Sequence, residues 1–377
     1  MTAREQIASF LAESKPLRQL CREAKAEGAT LHLEELVGGA LSCYSSALIE
    51  RMGGLHIFVA DDRDGAAYLM NDLYNLLDES KIYFFPSSYK RSAAYGAEDP
   101  QGVVQRTAAL TALTNFKQKG KQYCILCTYP EALAERVTAG KALEESTLKI
   151  AVGDVISIEV LEQELIDAGF SRVDFVYEPG QYSVRGGLVD IFSYAENKPY
   201  RVDFFGDEVD SIRRFEISSQ LSADRLERVA VVPDLKNREG SDSRISLANF
   251  VGGNATWWFY DADQILRRVN DIRRRTLSDM EDPKLIDRLL TSRVGLTTDL
   301  ELARVVMLRD NLPERKVTDT IQFSTLPQPA FNKNFELLAD DLIRNRQRGY
   351  HTYILSENKV QVERLENIFH QVGRGEA

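Results

Sequence analysis

Three short runs of almost uninterrupted apolar residues constrain this chain most: Leu55–Ala60 (LHIFVA), Lys81–Pro86 (KIYFFP) and Tyr123–Thr128 (YCILCT). A strand that is apolar on both faces has to be covered on both faces. Chains meet that demand with a parallel sheet whose crossover connections are helices. The intervening segments fit. Apolar residues recur at helical spacing over Asp64–Leu77, and a long helix is expected over Pro100–Phe116. A strand at Trp257–Tyr260 and a helix over Ala262–Thr276 return to the same style, and residues 1–30 read as helical, with Ile7, Phe10, Leu11 and Leu20 apolar among charges.

The patterning changes near residue 147. An amphipathic helix, Glu159–Ala168, is ended by Gly169, and strict alternation follows in DFVYEPGQYSVRGGLVDIF and PYRVDFFGDEVDSIRRFEI. Pro179-Gly180, Gly186-Gly187 and Gly206-Asp207 are turn signals between strands. The expectation is an antiparallel α+β unit at 147–233, inserted into an α/β domain formed by 1–146 and 234–316. Lys236–Ile245 reads as a linker or surface loop. From 317 to 377 a further small α/β unit is expected, with strands Ile321–Phe323 and Tyr350–Leu355 and helices Phe335–Arg348 and Val360–Phe369. So few elements make too small a core to stand alone, so the chain reads as cut from a longer one.

At 377 residues the length suits two or three domains of about 150 residues each. The net charge of −10 argues against a surface that grips DNA throughout, since phosphate binding needs clustered Lys and Arg. No apolar run reaches the ~18–20 residues of a membrane span. With charges where a signal peptide would be apolar, a cytoplasmic location is expected. The four histidines never approach ligand spacing, so no metal site is expected. Cys124 and Cys127 have the C-x-x-C spacing of a redox pair but lie in an apolar strand, which favours packing over reactivity. Asp61, Asp62 and Asp64 read as a helix start.

The segment Tyr182–Phe215, YSVRGGLVDIFSYAENKPYRVDFFGDEVDSIRRF, resembles the hairpin region shared by UvrB and the bacterial transcription-repair coupling factors (the Mfd family). Ile321–Pro329 (IQFSTLPQP) is similar to the coupling factors and not to UvrB. The resemblance is to the N-terminal region of the coupling factors and covers most of the chain. It implies a UvrB-like α/β domain interrupted by a UvrA-binding module. It also implies that RNA polymerase contacts and the ATP- and Mg-dependent DNA motor lie outside this chain, with damaged DNA met by the full-length protein.

In such a fold a phosphate loop, G-x-x-x-x-G-K-[ST], would follow the first helices. The matching stretch begins at Gly38 and ends Cys43-Tyr44-Ser45, so Gly38 and Ser45 fit while Cys43 replaces the second Gly and Tyr44 the Lys. The acidic pair that would bind Mg and polarise water is reduced to Asp261 followed by Ala262. A degenerate, non-functional nucleotide site, no cofactor and no catalytic residue are therefore expected here. The rival is a UvrB-type ATP-dependent damage-recognition helicase component. The aromatic hairpin that UvrB uses on DNA looks shortened in Tyr83–Asp99, where Tyr89 and Tyr95 could stack on bases. A third reading, a DNA-binding module, would rest on Arg267, Arg268, Arg273, Arg274 and Arg275 along one helix.

Strand alternation in Tyr200–Phe205 places Tyr200, Val202 and Phe204 on the core face and Arg201, Asp203 and Phe205 outside. The same logic buries Tyr182 and Val184 and exposes Ser183 and Arg185. An exposed Phe flanked by Arg has the composition of a protein–protein hot spot. The resemblance places the family's UvrA contacts at Arg185, Arg201 and Phe205. The competing expectation is a covered Phe205, with the arginines paired to Asp203 and Asp207.

Overall fold

The computed structural model describes residues 3–89, 99–116, 119–233, 244–354, 356 and 358–371. Strands β1 (Thr30–Glu34), β2 (Gly54–Val59), β3 (Ile82–Phe84), β4 (Tyr123–Thr128) and the short β5 (Val137–Thr138) precede the inserted module. Within the module lie β6 (Leu148–Ala151), β7 (Ser171–Arg172), β8 (Gln181–Arg185), β9 (Leu188–Ile191), β10 (Tyr200–Phe205), β11 (Glu208–Phe215), β12 (Ser222–Leu226) and β13 (Arg228–Val231). After it come β14 (Arg244–Ile245), β15 (Thr256–Phe259), β16 (Arg304–Met307) and β17 (Asp319–Gln322).

The expected α/β architecture is present. Seven parallel strands run in the order β17-β1-β16-β15-β2-β4-β3. Successive residues of one strand feed opposite cores. Ile57, Leu126, Trp257 and Val305 enter the core covered by helices Pro100–Asn115 and Ala262–Met280. Phe58, Ile125, Trp258 and Val306 enter the other, covered by Lys15–Glu23, Ala40–Met52 and Arg63–Leu76. Each buried large side chain of this kind contributes roughly 1.5–3 kcal/mol over an exposed one.

The inserted module has its own core. Its sheet runs β12-β11-β10-β9-β8-β7, antiparallel apart from the β7–β8 pair. The inner face packs Tyr182, Val189, Ile191, Val202 and Ile212 against Leu161 and Leu165 of helix Ile158–Asp167. Incoming β6 and outgoing β13 pair antiparallel from Leu148↔Val231 to Ala151↔Arg228. This ladder brings the two ends of the insertion together, so the host sheet is left uninterrupted.

Four elements differ from the sequence reading. Thr30–Glu34, within and beyond the stretch read as helical, is a strand of the large sheet, and Arg304–Met307 adds another. The strand read at 321–323 as the opening of a further unit begins at Asp319 and pairs with β1 on the edge of the large sheet. Residues 350–354 form no strand. Tyr350 and Ile354 are exposed, among the described residues no strand pairs with this segment, and the Tyr350 N–H donates instead to the Asn345 carbonyl of the preceding helix at 3.0 Å; Leu355 lies outside the described residues.

One buried polar pair ties β2 to β15. The Trp258 indole N–H donates to His56 Nδ1 at 3.3 Å, so the imidazole proton sits on Nε2, which donates to the Gly53 carbonyl at 3.1 Å. Full burial lowers the His56 pKa from 6.5 to about 4. Below pH 6.5 the unfolded chain takes up a proton that the folded chain refuses, so stability falls with pH until about 4. At ~1.4 kcal/mol per pH unit the expected loss is about 3 kcal/mol. Urea unfolding across that range, with the His56 imidazole followed by NMR, checks this. An imidazole already charged at pH 5.5 in the folded protein would contradict it.

Candidate functional site

The hairpin of β10 and β11 turns at Gly206, whose φ of +62° suits the residue without a Cβ. Tyr200 and Val202 are buried as alternation predicts. A register shift between Asp203 and Phe204 leaves Phe204 half-buried, paired with Val209, and Phe205 opposite Glu208. Phe205 stands 83% exposed at the hairpin tip. The backbone N–H of Phe204 donates to the Gly187 carbonyl at 2.8 Å, which brings the β8–β9 turn, and with it Arg185, to the same end of the sheet.

The arginines do not pair with Asp203 or Asp207. Asp203 accepts instead from Ser211 Oγ at 2.8 Å and from Arg213. Both Arg185 and Arg201 converge on Asp190 of β9, a residue the sequence reading did not single out. Arg201 donates from Nε to Asp190 Oδ1 at 2.7 Å and from Nη2 to Oδ2 at 2.9 Å, while Arg185 donates from Nη2 to Oδ2. Arg201 also reaches the Gln220 carbonyl at 3.4 Å and lies 4.3 Å from the Phe215 ring centre. The Asp190 carboxylate holds the Arg201 pKa above its ordinary value. Arg185 lies 4.9 Å from the Phe175 ring, and its buried Nε has no hydrogen-bond partner. The Arg201 side chain keeps 14% of its exposure and that of Arg185 35%.

Ser183, expected outside, is buried because its Oγ donates to the Asp174 carbonyl at 2.8 Å under the loop before β8. Asp190 could have been found from cross-strand register. The outer row reads Ser183↔Asp190↔Arg201, a carboxylate directly opposite a cation.

At the C-terminal end of the large sheet, β1 leads through Gly38 (φ +60°) and Gly39 into helix Ala40–Met52. The backbone before this helix is engaged by the chain itself. Val37 N–H donates to Thr325 Oγ1 at 2.9 Å, and Thr325 Oγ1 donates to the Glu35 carbonyl at 2.5 Å. Cys43 and Tyr44 lie on the helix, partly buried against the adjoining core. The Tyr44 ring meets Phe323 edge-on at 4.8 Å between centroids, and its hydroxyl accepts from Ser14 Oγ at 3.3 Å. Ser45 is buried, with Oγ donating to the Ser42 carbonyl at 3.3 Å. Asp261 caps helix Ala262–Met280 by accepting from Gln264 N–H at 3.2 Å, and Ala262 is buried. In this arrangement Asp261 is a helix cap and Tyr44 a packing residue.

Other sequence candidates take structural roles. Asp62 caps helix Arg63–Leu76, and among the described residues there is no cluster of three or more His, Cys, Asp or Glu able to hold a metal. Arg267, Arg268, Arg273 and Arg274 each pair with a carboxylate, of Asp263, Glu131, Asp287 and Asp271 respectively. That is the pattern of a solvated helix face. Tyr95 lies outside the described residues. No helix among those described is long and apolar enough to cross a membrane.

The module carrying this face is of a known class: residues 148–236 match the sequence model of the UvrB interaction domain. Over the larger part of its length the chain is similar to transcription-repair-coupling factors. It is 26% identical to that of Bacillus subtilis over 229 residues, 61% of this chain and 19% of the relative. Against that of Escherichia coli it is 28% identical over 202 residues, 53% of this chain and 17% of the relative. A more distant match, 20% identical to that of Staphylococcus haemolyticus, extends over 81% of this chain and 31% of the relative. The chain thus spans less than a third of the length of these relatives. The likeness first visible in the hairpin is shown by both comparisons.

Burial pushes the Cys124 thiol up to about 12 and that of Cys127 higher still, while Cys21 and Cys43 are only partly buried. Since the thiolate is the reactive form, a maleimide should modify Cys21 and Cys43 first. Cys124 and Cys127 should react only on unfolding. Mass spectrometry of the native protein showing early modification of Cys124 or Cys127 would contradict this.

Proposed function

We propose that this chain is a docking scaffold that recruits UvrA during transcription-coupled nucleotide excision repair and does not itself bind or hydrolyse ATP. The observation that carries the reading is Phe205. An aromatic projecting at a hairpin tip, on the strand that also carries Arg201, lies within the segment matching the UvrB interaction domain, as do Arg201 and Arg185, which are anchored on one carboxylate. Large exposed aromatics backed by Arg are the side chains that dominate protein–protein hot spots. DNA and RNA polymerase are contacts of the longer protein in this reading, as is its ATP-driven motor. The location is cytoplasmic.

The absence of ATP turnover is supported by the residues at the first strand's end. A phosphate loop needs free backbone N–H groups and a cation. Here the Val37 N–H is engaged by Thr325, Tyr44 brings no charge, and Ala262 offers no group to polarise water. The same residues count against the ATP-dependent helicase reading. Calorimetry with ATP and Mg should give no saturable heat at micromolar concentrations; a fitted stoichiometric isotherm would sink this part of the proposal.

Truncating a central hot-spot side chain typically costs about 2–4 kcal/mol, and ~1.4 kcal/mol is tenfold in affinity. Phe205→Ala should therefore weaken binding to purified UvrA by roughly 30-fold or more, with its melting temperature unchanged. Val202→Ala, on the buried face, should lower the melting temperature instead. Equal UvrA affinity of Phe205→Ala and the parent protein would exclude the docking role.

A further inference from the structure

We infer that Asp190 is a positioning residue of the docking face, its single buried carboxylate fixing the Arg201 guanidinium as a strut and orienting that of Arg185 toward the partner. The inference rests on the docking reading and adds a residue and a division of labour to it. Asp190 cannot itself be a contact, because its side chain is 2% exposed. It acts through what it holds. Arg201 spends Nε and Nη2 on the two carboxylate oxygens and Nη1 on the Gln220 carbonyl, and the Phe215 ring closes the remaining side. Arg201 is thereby a strut. Arg185 makes one bond to the same carboxylate, rests beside Phe175 and keeps a buried Nε–H without an acceptor.

The charge balance gives the cluster its chemistry. Asp190 faces two guanidinium groups, and the neighbouring Asp203 is matched by Arg213, so a single positive charge is left in excess. Arg185, the more exposed of the two, is where that charge meets solvent. Exclusion of water on docking would strengthen the pull of this charge on a partner anion. The Gly187 carbonyl, bonded to Phe204 N–H, sets the Arg185 end of the sheet beside Phe205. The partner group that completes the site is therefore a carboxylate that reaches Arg185 while an apolar surface covers Phe205.

The test is a thermodynamic cycle with purified UvrA. Asp190→Asn keeps the side-chain volume and removes the charge, and should weaken binding about tenfold, the scale of coupling within one charge network. In an Arg185→Ala/Arg201→Ala background the same substitution should change affinity less than about twofold, because the groups it orients are gone. Asp190→Glu, which restores the charge one methylene further out, should recover part of the loss. Melting temperatures are measured alongside, and if Asp190→Asn fails to fold, the Asp190→Glu pair of measurements carries the comparison. Unchanged affinity on Asp190 substitution overturns the inference, as does an equal loss with and without the two arginines. Phe205→Ala is the separate reference: full binding by that variant would fell the docking reading itself, whereas its weakening beside an inert Asp190 would fell only the present inference.

Discussion

Seven parallel strands that deliver large apolar side chains to both of their faces have to be covered on both, and the rest of the host domain is arranged to do so. Trp257 and Trp258, adjacent in one strand, sit in different cores, so neither layer of helices can be removed without exposing a Trp. With its faces closed, such a sheet has its ends for binding, and ligands of open α/β sheets gather outside the carboxyl ends of the strands. In this chain that end is partly filled from within. Thr325 bonds the backbone after β1, and Phe323 meets Tyr44 where a lysine would be needed for phosphate. The segment after β17 thus packs against the loop that follows β1 and the helix it leads into.

In the proposed docking reading the interaction face lies on the insertion. Because β6 and β13 pair with each other, the module joins its host through two neighbouring strands and keeps a separate core. Its sheet has one face committed to that core. The other is covered only in part, by the loop before β8 and the turn before β12, which bury Ser183 and Phe215. The tip at Phe205 and the Arg185 edge of the arginine cluster are among the parts that remain open.

Much of this was legible in the chain because burial is written into local composition. LHIFVA, YCILCT and WWFY announce strands covered on both faces, and the alternation in YRVDFF separates Val202 from Phe205. β1 was not legible. Only Leu31 and Leu33 are fully apolar in TLHLE, while His32 and Glu34 lie toward each other at 3.7 Å on its less covered side, so the run mimics a surface segment. β17 was half legible, since DTIQ carries a single buried apolar residue and owes its place to pairing with a strand nearly 300 positions earlier, as the Thr30–Thr318 bond illustrates. Exposure on the outer face of the module was misread for Ser183 for a related reason. Period-two alternation tells which side a residue faces, and says nothing about whether a distant loop lies on top.

Asp190 shows the same limit and what lies past it. Read along β9, an Asp between Val189 and Ile191 looks like a solvent-facing residue, but three strands and a loop enclose it. Burying a carboxylate with two guanidinium groups is a poor way to gain stability, because desolvating the charges offsets most of their attraction, and apolar side chains of similar volume do as well. What the ionic cluster supplies is direction. Arg201 is fixed by two bonds to one carboxylate, a geometry that a lysine could not reproduce, and Arg185 is held half out of the same cluster. An apolar core at this point would hold the sheet equally well and present no cation to a partner. Under the proposed docking role, the charged arrangement serves recognition where an apolar one would serve only folding.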